Sequence, residues 1–133
     1  MDDNLNFQSG QILFLECDTS LESRSCGNIK DIRDRSRLYA ELIQVVVSRQ
    51  LCWVRPLLLV DFTQEIPLVN DLRGANDILW SVDSFRPALD TDTIEFLSQV
   101  IFKEPKPELL GVAKQQLNQF IQQLWQYSQN KIR

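Results

Sequence analysis

Apolar residues in the first part of the chain recur with the spacing of β-strands. Residues 10 to 17 are rich in Ile, Leu and Phe, and residues 37 to 47 alternate between apolar and polar positions before a β-branched run. Residues 51 to 60 predict the return strand of a hairpin. Pro56 within that strand indicates an edge position or a bulge, because proline has no backbone N–H to donate.

Two shorter strands follow. Residues 68 to 72 and 77 to 82 predict a second hairpin, and residues 84 to 87 predict a short helical turn after it. The polar residues 18 to 36 predict a long loop. Five short antiparallel strands without an intervening helix favour an all-β unit over residues 1 to 90, most simply a small SH3-like barrel.

From residue 90 onward the apolar spacing changes to that of α-helices. Asp92 followed by Glu95 predicts a capping box at the start of a first helix. Its apolar side is expected to hold Ile94, Leu97, Val100 and Ile101. A second helix is predicted from Pro107 to about residue 130. Its apolar stripe consists of Leu110, Ala113, Leu117, Phe120, Leu124 and Tyr127, widened by Ile121 and Trp125.

We expect these two helices, in residues 91 to 133, to form an extension that packs on the barrel. The predicted fold is therefore mainly β with C-terminal helices, in the α+β class. The alternative is that the stripe of the second helix docks on another protein, or mediates self-association with a second copy of the chain.

Composition narrows the possible chemistry. The 133 residues include no histidine, which removes the commonest general base and zinc ligand. The three cysteines, Cys17, Cys26 and Cys52, are widely spaced, as expected for reduced thiols, and Cys26 alone falls in a polar segment. We find no membrane-spanning run and no basic signal-peptide start, so we expect no membrane association and a cytoplasmic location.

The carboxylates are the remaining candidates for catalytic or metal-binding groups. Asp90, Asp92 and Glu95 form the densest acidic set, but their spacing is not that of a calcium loop, and helix capping explains them. The glycines are too far apart for a phosphate-binding loop. We therefore predict a non-enzyme without a metal or cofactor, and keep a calcium-binding protein as a distant alternative.

Charge is distributed unevenly along the chain. Residues 24 to 55 hold seven basic and three acidic residues, which gives +4, whereas residues 61 to 108 hold four basic and ten acidic residues, which gives −6. Such a two-signed surface is more typical of a protein that binds a charged protein, or its own copy, than of a general nucleic-acid binder.

Basic and aromatic residues alternate along the first hairpin and recur after the second. The predicted partner-binding residues are Arg49, Trp53, Arg55, Phe85 and Arg86. Arg37 and Tyr39 share one face of the neighbouring strand, so an RNA-binding aromatic-basic patch is the alternative function. The same side chains could equally form a rim around the core without any partner.

Three stretches carry a resemblance to a known family. They are residues 38 to 46 (LYAELIQVV), residues 51 to 57 (LCWVRPL) and residues 84 to 90 (SFRPALD). Together they resemble a family of short cyanobacterial proteins over roughly half of the chain. That family is mostly uncharacterised, and we expect it to include a protein inhibitor that binds ribonuclease E, so the resemblance implies a regulatory protein with a ribonuclease as its partner. It carries over no functional residue.

The sequence therefore predicts a non-catalytic regulatory or adaptor protein that acts by protein–protein binding. An RNA-processing enzyme is the expected partner, and an RNA-binding small-barrel module is the alternative.

Overall fold

The computed structural model describes residues 7 to 18, 35 to 62, 66 to 101 and 107 to 132. These form six strands, β1 (Ile12–Asp18), β2 (Arg35–Val46), β3 (Leu51–Asp61), β4 (Leu68–Asp71), β5 (Ile78–Ser81) and β6 (Arg86–Pro87), and two helices, α1 (Asp90–Ile101) and α2 (Leu110–Ile132). The ends of the predicted loop, Asp18, Arg35 and Ser36, belong to β1 and β2, and the rest of that loop lies outside the described residues.

All six strands belong to one antiparallel sheet with the order β4-β3-β2-β1-β6, and β5 also pairs with β3. An antiparallel sheet followed by two helices confirms the predicted α+β class. Among the described strands no pairing joins β6 to β4 or β5, so the sheet is open. The predicted five-stranded SH3-like barrel is therefore not confirmed.

The hairpin of β2 and β3 is the centre of the sheet. Its register shifts between Tyr39 and Ala40, which leaves Leu57 as an extra residue beside Pro56. Because Pro56 cannot donate to the ladder, the irregularity falls where the sequence predicted an edge position or a bulge. The hairpin turns through a short 3₁₀ segment, Val47–Arg49, and Gln50 follows in the left-handed conformation with a φ of 56°.

The predicted second hairpin is wrong. β4 pairs with the segment Leu58 to Asp61 of β3, and β5 pairs with the segment Leu51 to Val54, so both strands lie along the same edge of β3. The connection between them stays close to that edge because the Leu72 N–H donates to the Leu57 carbonyl over 2.9 Å and Leu72 is buried. The chain therefore continues along β3 instead of reversing direction.

The predicted helical turn at residues 84 to 87 is also wrong. A 3₁₀ turn occurs slightly earlier, at Val82–Ser84, where the Ser81 hydroxyl accepts a hydrogen bond from the Asp83 N–H. Arg86 and Pro87 instead form β6, which pairs with β1. A proline is tolerated there because β6 is an edge strand.

Helix α2 covers one face of the sheet. Its inward side chains, Ala113, Leu117, Phe120 and Leu124, are buried in a core with residues of β1, β2 and β3. This confirms most of the predicted stripe, although Trp125 is 56% exposed at its margin. The side chain of Tyr127 lies outside the described residues. With its stripe buried on the sheet, α2 cannot use those side chains for self-association.

Helix α1 covers part of the opposite face. Phe96 and Val100 pack on Tyr39, Leu58 and Val60 in a smaller core. The helix begins at Asp90, and the Thr93 N–H donates to the Leu89 carbonyl, so Asp92 lies inside the first turn. The prediction that Asp92 is the N-cap is therefore wrong. Ile94 is 69% exposed, so its predicted place on the inward side is wrong.

No helix within the described ranges is long and apolar enough to cross a membrane.

Candidate functional site

The face that carries α1 is left open at the end of the sheet near the β2–β3 turn. There Trp53 on β3 and Leu79 on β5 lie directly opposite each other, and they are 38% and 55% exposed. Residues directly opposite in an antiparallel pair point to the same face, so the two apolar side chains are neighbours. We name Trp53, Arg55, Asp77 and Leu79 the Trp53 patch.

Asp77 connects the two polar groups of this patch. One carboxylate oxygen accepts a hydrogen bond from Trp53 Nε1 at 3.0 Å, and the other accepts one from Arg55 Nε at 3.4 Å. Exposed ion pairs of this kind contribute little to stability. Their effect here is to fix the orientation of an indole and a guanidinium that both face solvent.

Arg55 keeps most of its hydrogen-bonding capacity. Its bond to Asp77 uses only Nε, and in the described part of the chain its two terminal nitrogens make no other hydrogen bond. The guanidinium fork can therefore engage a carboxylate in two-point fashion. Arg49 is also exposed, in the turn two residues before β3 begins.

The other two predicted partner-binding residues do not join this patch. Phe85 is 3% exposed and belongs to the core under α2, so its assignment as a partner-binding residue is wrong. Arg86 is exposed but lies on β6, which is separated from β3 by two strands, roughly 14 Å across the sheet. The structure thus brings Trp53 and Arg55 together, with Arg49 at the adjacent turn, and leaves Arg86 apart.

Sequence reasoning missed Asp77 and Leu79. The alternation around Leu79 could have indicated that this residue points away from Ile78 and Trp80, but not which strand it would face. Because the sequence predicts that residues 77 to 82 pair with residues 68 to 72, it gives Trp53 no neighbour on β5.

Arg37 and Tyr39 are the other half of the predicted RNA patch. Both make structural contacts within the sheet. Tyr39 is buried, and Arg37 donates to Glu16 Oε2 at 2.9 Å and to the Tyr39 hydroxyl at 3.3 Å. The guanidinium also lies 4.5 Å from the centre of the Phe14 ring. Burial lowers the pKa of Arg37, but the hydrogen bonds to Tyr39 and Glu16 outweigh it and raise the pKa overall. This arginine is held in place as a structural cation.

Two of the three cysteines are buried. Cys17 and Cys52 are core residues of β1 and β3. Burial raises the pKa of Cys52 to about 11, so at neutral pH it is the unreactive thiol. Cys26 lies outside the described residues.

The acidic set at the start of α1 is described only in part. Among the side chains that the structure describes, no three acidic or thiol groups are placed to hold a metal ion, and the side chain of Asp92 is not among them. The calcium-binding alternative stays a prediction.

The chain matches no family model, no curated protein and no solved structure. The resemblance to the cyanobacterial family thus remains a prediction, and functional inference rests on the geometry of the Trp53 patch.

Proposed function

We propose that this protein is a non-catalytic regulatory or adaptor protein that binds another protein through the Trp53 patch. The observation that carries this proposal is the exposed Trp53 side chain, oriented by Asp77 next to Arg55 and Leu79. Tryptophan and arginine are the residue types most enriched at the energetic centres of protein interfaces. An exposed sheet face with an apolar pair and a guanidinium fork matches that composition.

Charge favours a protein over RNA as the partner. The Asp77 carboxylate is part of the patch, and Glu41 lies directly opposite Arg55 on β2. These two carboxylates offset the positive charge that phosphate groups would require. Arg37, which could have extended a basic surface, is already paired with Glu16.

The resemblance makes an RNA-processing enzyme the first partner to test, ribonuclease E in particular. In this proposal the protein acts in the cytoplasm and inhibits or tethers the ribonuclease by occupying part of its surface, with no chemistry of its own.

Affinity purification from nuclease-treated extract tests the proposal. The baits are the wild-type protein, Trp53→Ala, Arg55→Ala and the control Leu109→Ala, which removes an exposed apolar side chain outside the patch. We expect a protein, with ribonuclease E as the first candidate, that the wild type and the control retain. Loss of each patch residue should weaken its binding by at least about 2 kcal/mol, or roughly 30-fold.

A direct RNA titration tests the alternative. Anisotropy of labelled single-stranded RNA should show no binding at physiological salt. Tight binding that weakens steeply with salt, and less steeply in Arg55→Ala, would identify an RNA-binding module instead. If both patch variants retained every bound protein, the patch would not be the docking surface.

A further inference from the structure

The outer edge of β5 offers unpaired backbone groups. The Val82 N–H donates to the Gln50 carbonyl at 3.0 Å, which fixes the alternation of the ladder between β3 and β5. In an antiparallel ladder, alternate residues bond to the neighbouring strand. Ile78 and Trp80 therefore bond to β3, whereas the N–H and C=O groups of Leu79 and Ser81 point outward. Within the described ranges, nothing pairs with these outward groups.

The outward-facing positions are arranged symmetrically. Leu79 and Ser81 are the outward positions within β5, and Asp77 lies one residue before the strand begins. A second strand of the same sequence, running antiparallel and centred on the same residue, would match each outward N–H with an outward C=O. The outward backbone groups of two copies can therefore hydrogen-bond to each other, and no strand of another sequence is needed.

We propose that two copies of the chain associate through their β5 strands, antiparallel and in register at Leu79. In this arrangement Leu79 faces Leu79 of the second copy, and Asp77 faces Ser81, whose hydroxyl can donate to a carboxylate. The two Trp53 side chains flank the leucines, so four apolar side chains form one continuous row across the dimer.

The apolar side chains select this register over the two neighbouring ones. Centring the pair on Trp80 would place Leu79 opposite Ser81 of the second copy, and centring it on Ile78 would place Leu79 opposite Asp77. Apolar side chains directly opposite each other stabilise a strand pair. Centring on Leu79 is the arrangement that brings the two leucines together.

The dimer should be weak and reversible. β5 has four residues, and a short edge strand limits the area that pairing can bury. Interfaces below about 1,200 Å² are typical of transient complexes. Edge pairing leaves the face with Trp53 and Arg55 open. It would therefore double the Trp53 patch without blocking it, and it does not depend on whether that patch binds another protein.

Sedimentation velocity from about 10 μM to about 1 mM tests the proposal, because dimer formation must rise with concentration. The wild type and the control Leu109→Lys should show the same shift from monomer to dimer. Leu79→Lys should stay monomeric, since it places two like charges face to face. Leu79→Pro should also stay monomeric, because it removes an outward N–H and leaves the ladder to β3 intact.

Hydrogen exchange identifies the surface. In the wild type, the amides of Leu79 and Ser81 should gain protection as concentration rises, while those of Ile78 and Trp80 are protected throughout and verify folding in each variant. A wild type that is monomeric at the highest concentration would overturn the proposal. So would a folded Leu79→Lys variant that dimerises like the control, or protection gained elsewhere in the chain.

Discussion

The two faces of the sheet differ in how completely they are covered. Under α2, seventeen described residues form a buried core, whereas five form the buried core under α1. Helix α2 has 23 residues and α1 has 12, which correspond to lengths of about 34 Å and 18 Å. The shorter helix leaves Trp53 and Leu79 exposed. One face is thus buried along most of its length, whereas the other leaves part of its apolar surface exposed.

The largest loss of stability is expected from a substitution on the face that α2 covers. Leu117→Ala should lower the free energy of unfolding by about 2–5 kcal/mol, because Leu117 is buried between α2 and the sheet and its loss leaves a cavity. Chemical denaturation provides the measurement. The control Leu109→Ala should change stability by less than about 0.5 kcal/mol. Equal, small effects would mean that α2 does not pack on the sheet in solution.

A smaller effect is expected where α1 ends. Arg73 donates to both carboxylate oxygens of Asp71 and to the Val100 carbonyl near the end of α1, at 2.9–3.0 Å. Arg73→Ala should cost about 1.5–3 kcal/mol, because it removes these bonds and leaves Asp71 without them. The control is Arg86→Ala, which removes an exposed arginine from β6. A cost no larger than the control's would show that Arg73 does not hold α1.

The contact between Arg73 and Asp71 should also affect how stability depends on pH. Burial raises the pKa of Asp71, but the hydrogen bonds donated by Arg73 lower it below its ordinary 3.8. A lowered folded-state pKa adds stability at neutral pH, and that stability is lost as the pH falls below the ordinary value. Between about pH 4 and pH 2 the wild type should lose stability more steeply than Arg73→Ala. Parallel curves would contradict this assignment.

The sequence predicted where the strands and helices lie along the chain better than it predicted which strands pair with each other. The alternation around Tyr39 and the stripe through Leu117 located β2 and α2, because burial on one side leaves a period in the sequence. The sequence could not show that β4 and β5 share an edge of β3. Alternation specifies which residues are buried, but it does not specify which strand lies beside them. The same limit hid β6, whose two residues are too few to show a period.

The candidate site was predicted in part for the same reason. Trp53 and Arg55 are two residues apart on one strand, so their common face follows from strand geometry alone. Asp77 and Leu79 joined them only through the pairing of β5 with β3. Phe85 was misassigned because a large aromatic residue beside an arginine has the same local pattern whether it binds a partner or fills a core.

The smallest effect on stability is expected from the patch itself. Trp53→Ala should lower the free energy of unfolding by about 1 kcal/mol, since the side chain is 38% exposed and loses its packing against Leu79 together with the hydrogen bond to Asp77. Thermal and chemical denaturation of this variant beside the wild type provide the check. A loss above about 2 kcal/mol would place Trp53 in the stabilising part of the molecule.

The most direct test of the central claim combines stability and binding in that one variant. Trp53→Ala should stay folded and lose only about 1 kcal/mol of stability. As bait in nuclease-treated extract, it should also lose a protein that the wild type and Leu109→Ala retain. A variant that is folded and stable but still retains every protein bound by the wild type would contradict the claim that the uncovered part of the α1 face is a docking surface.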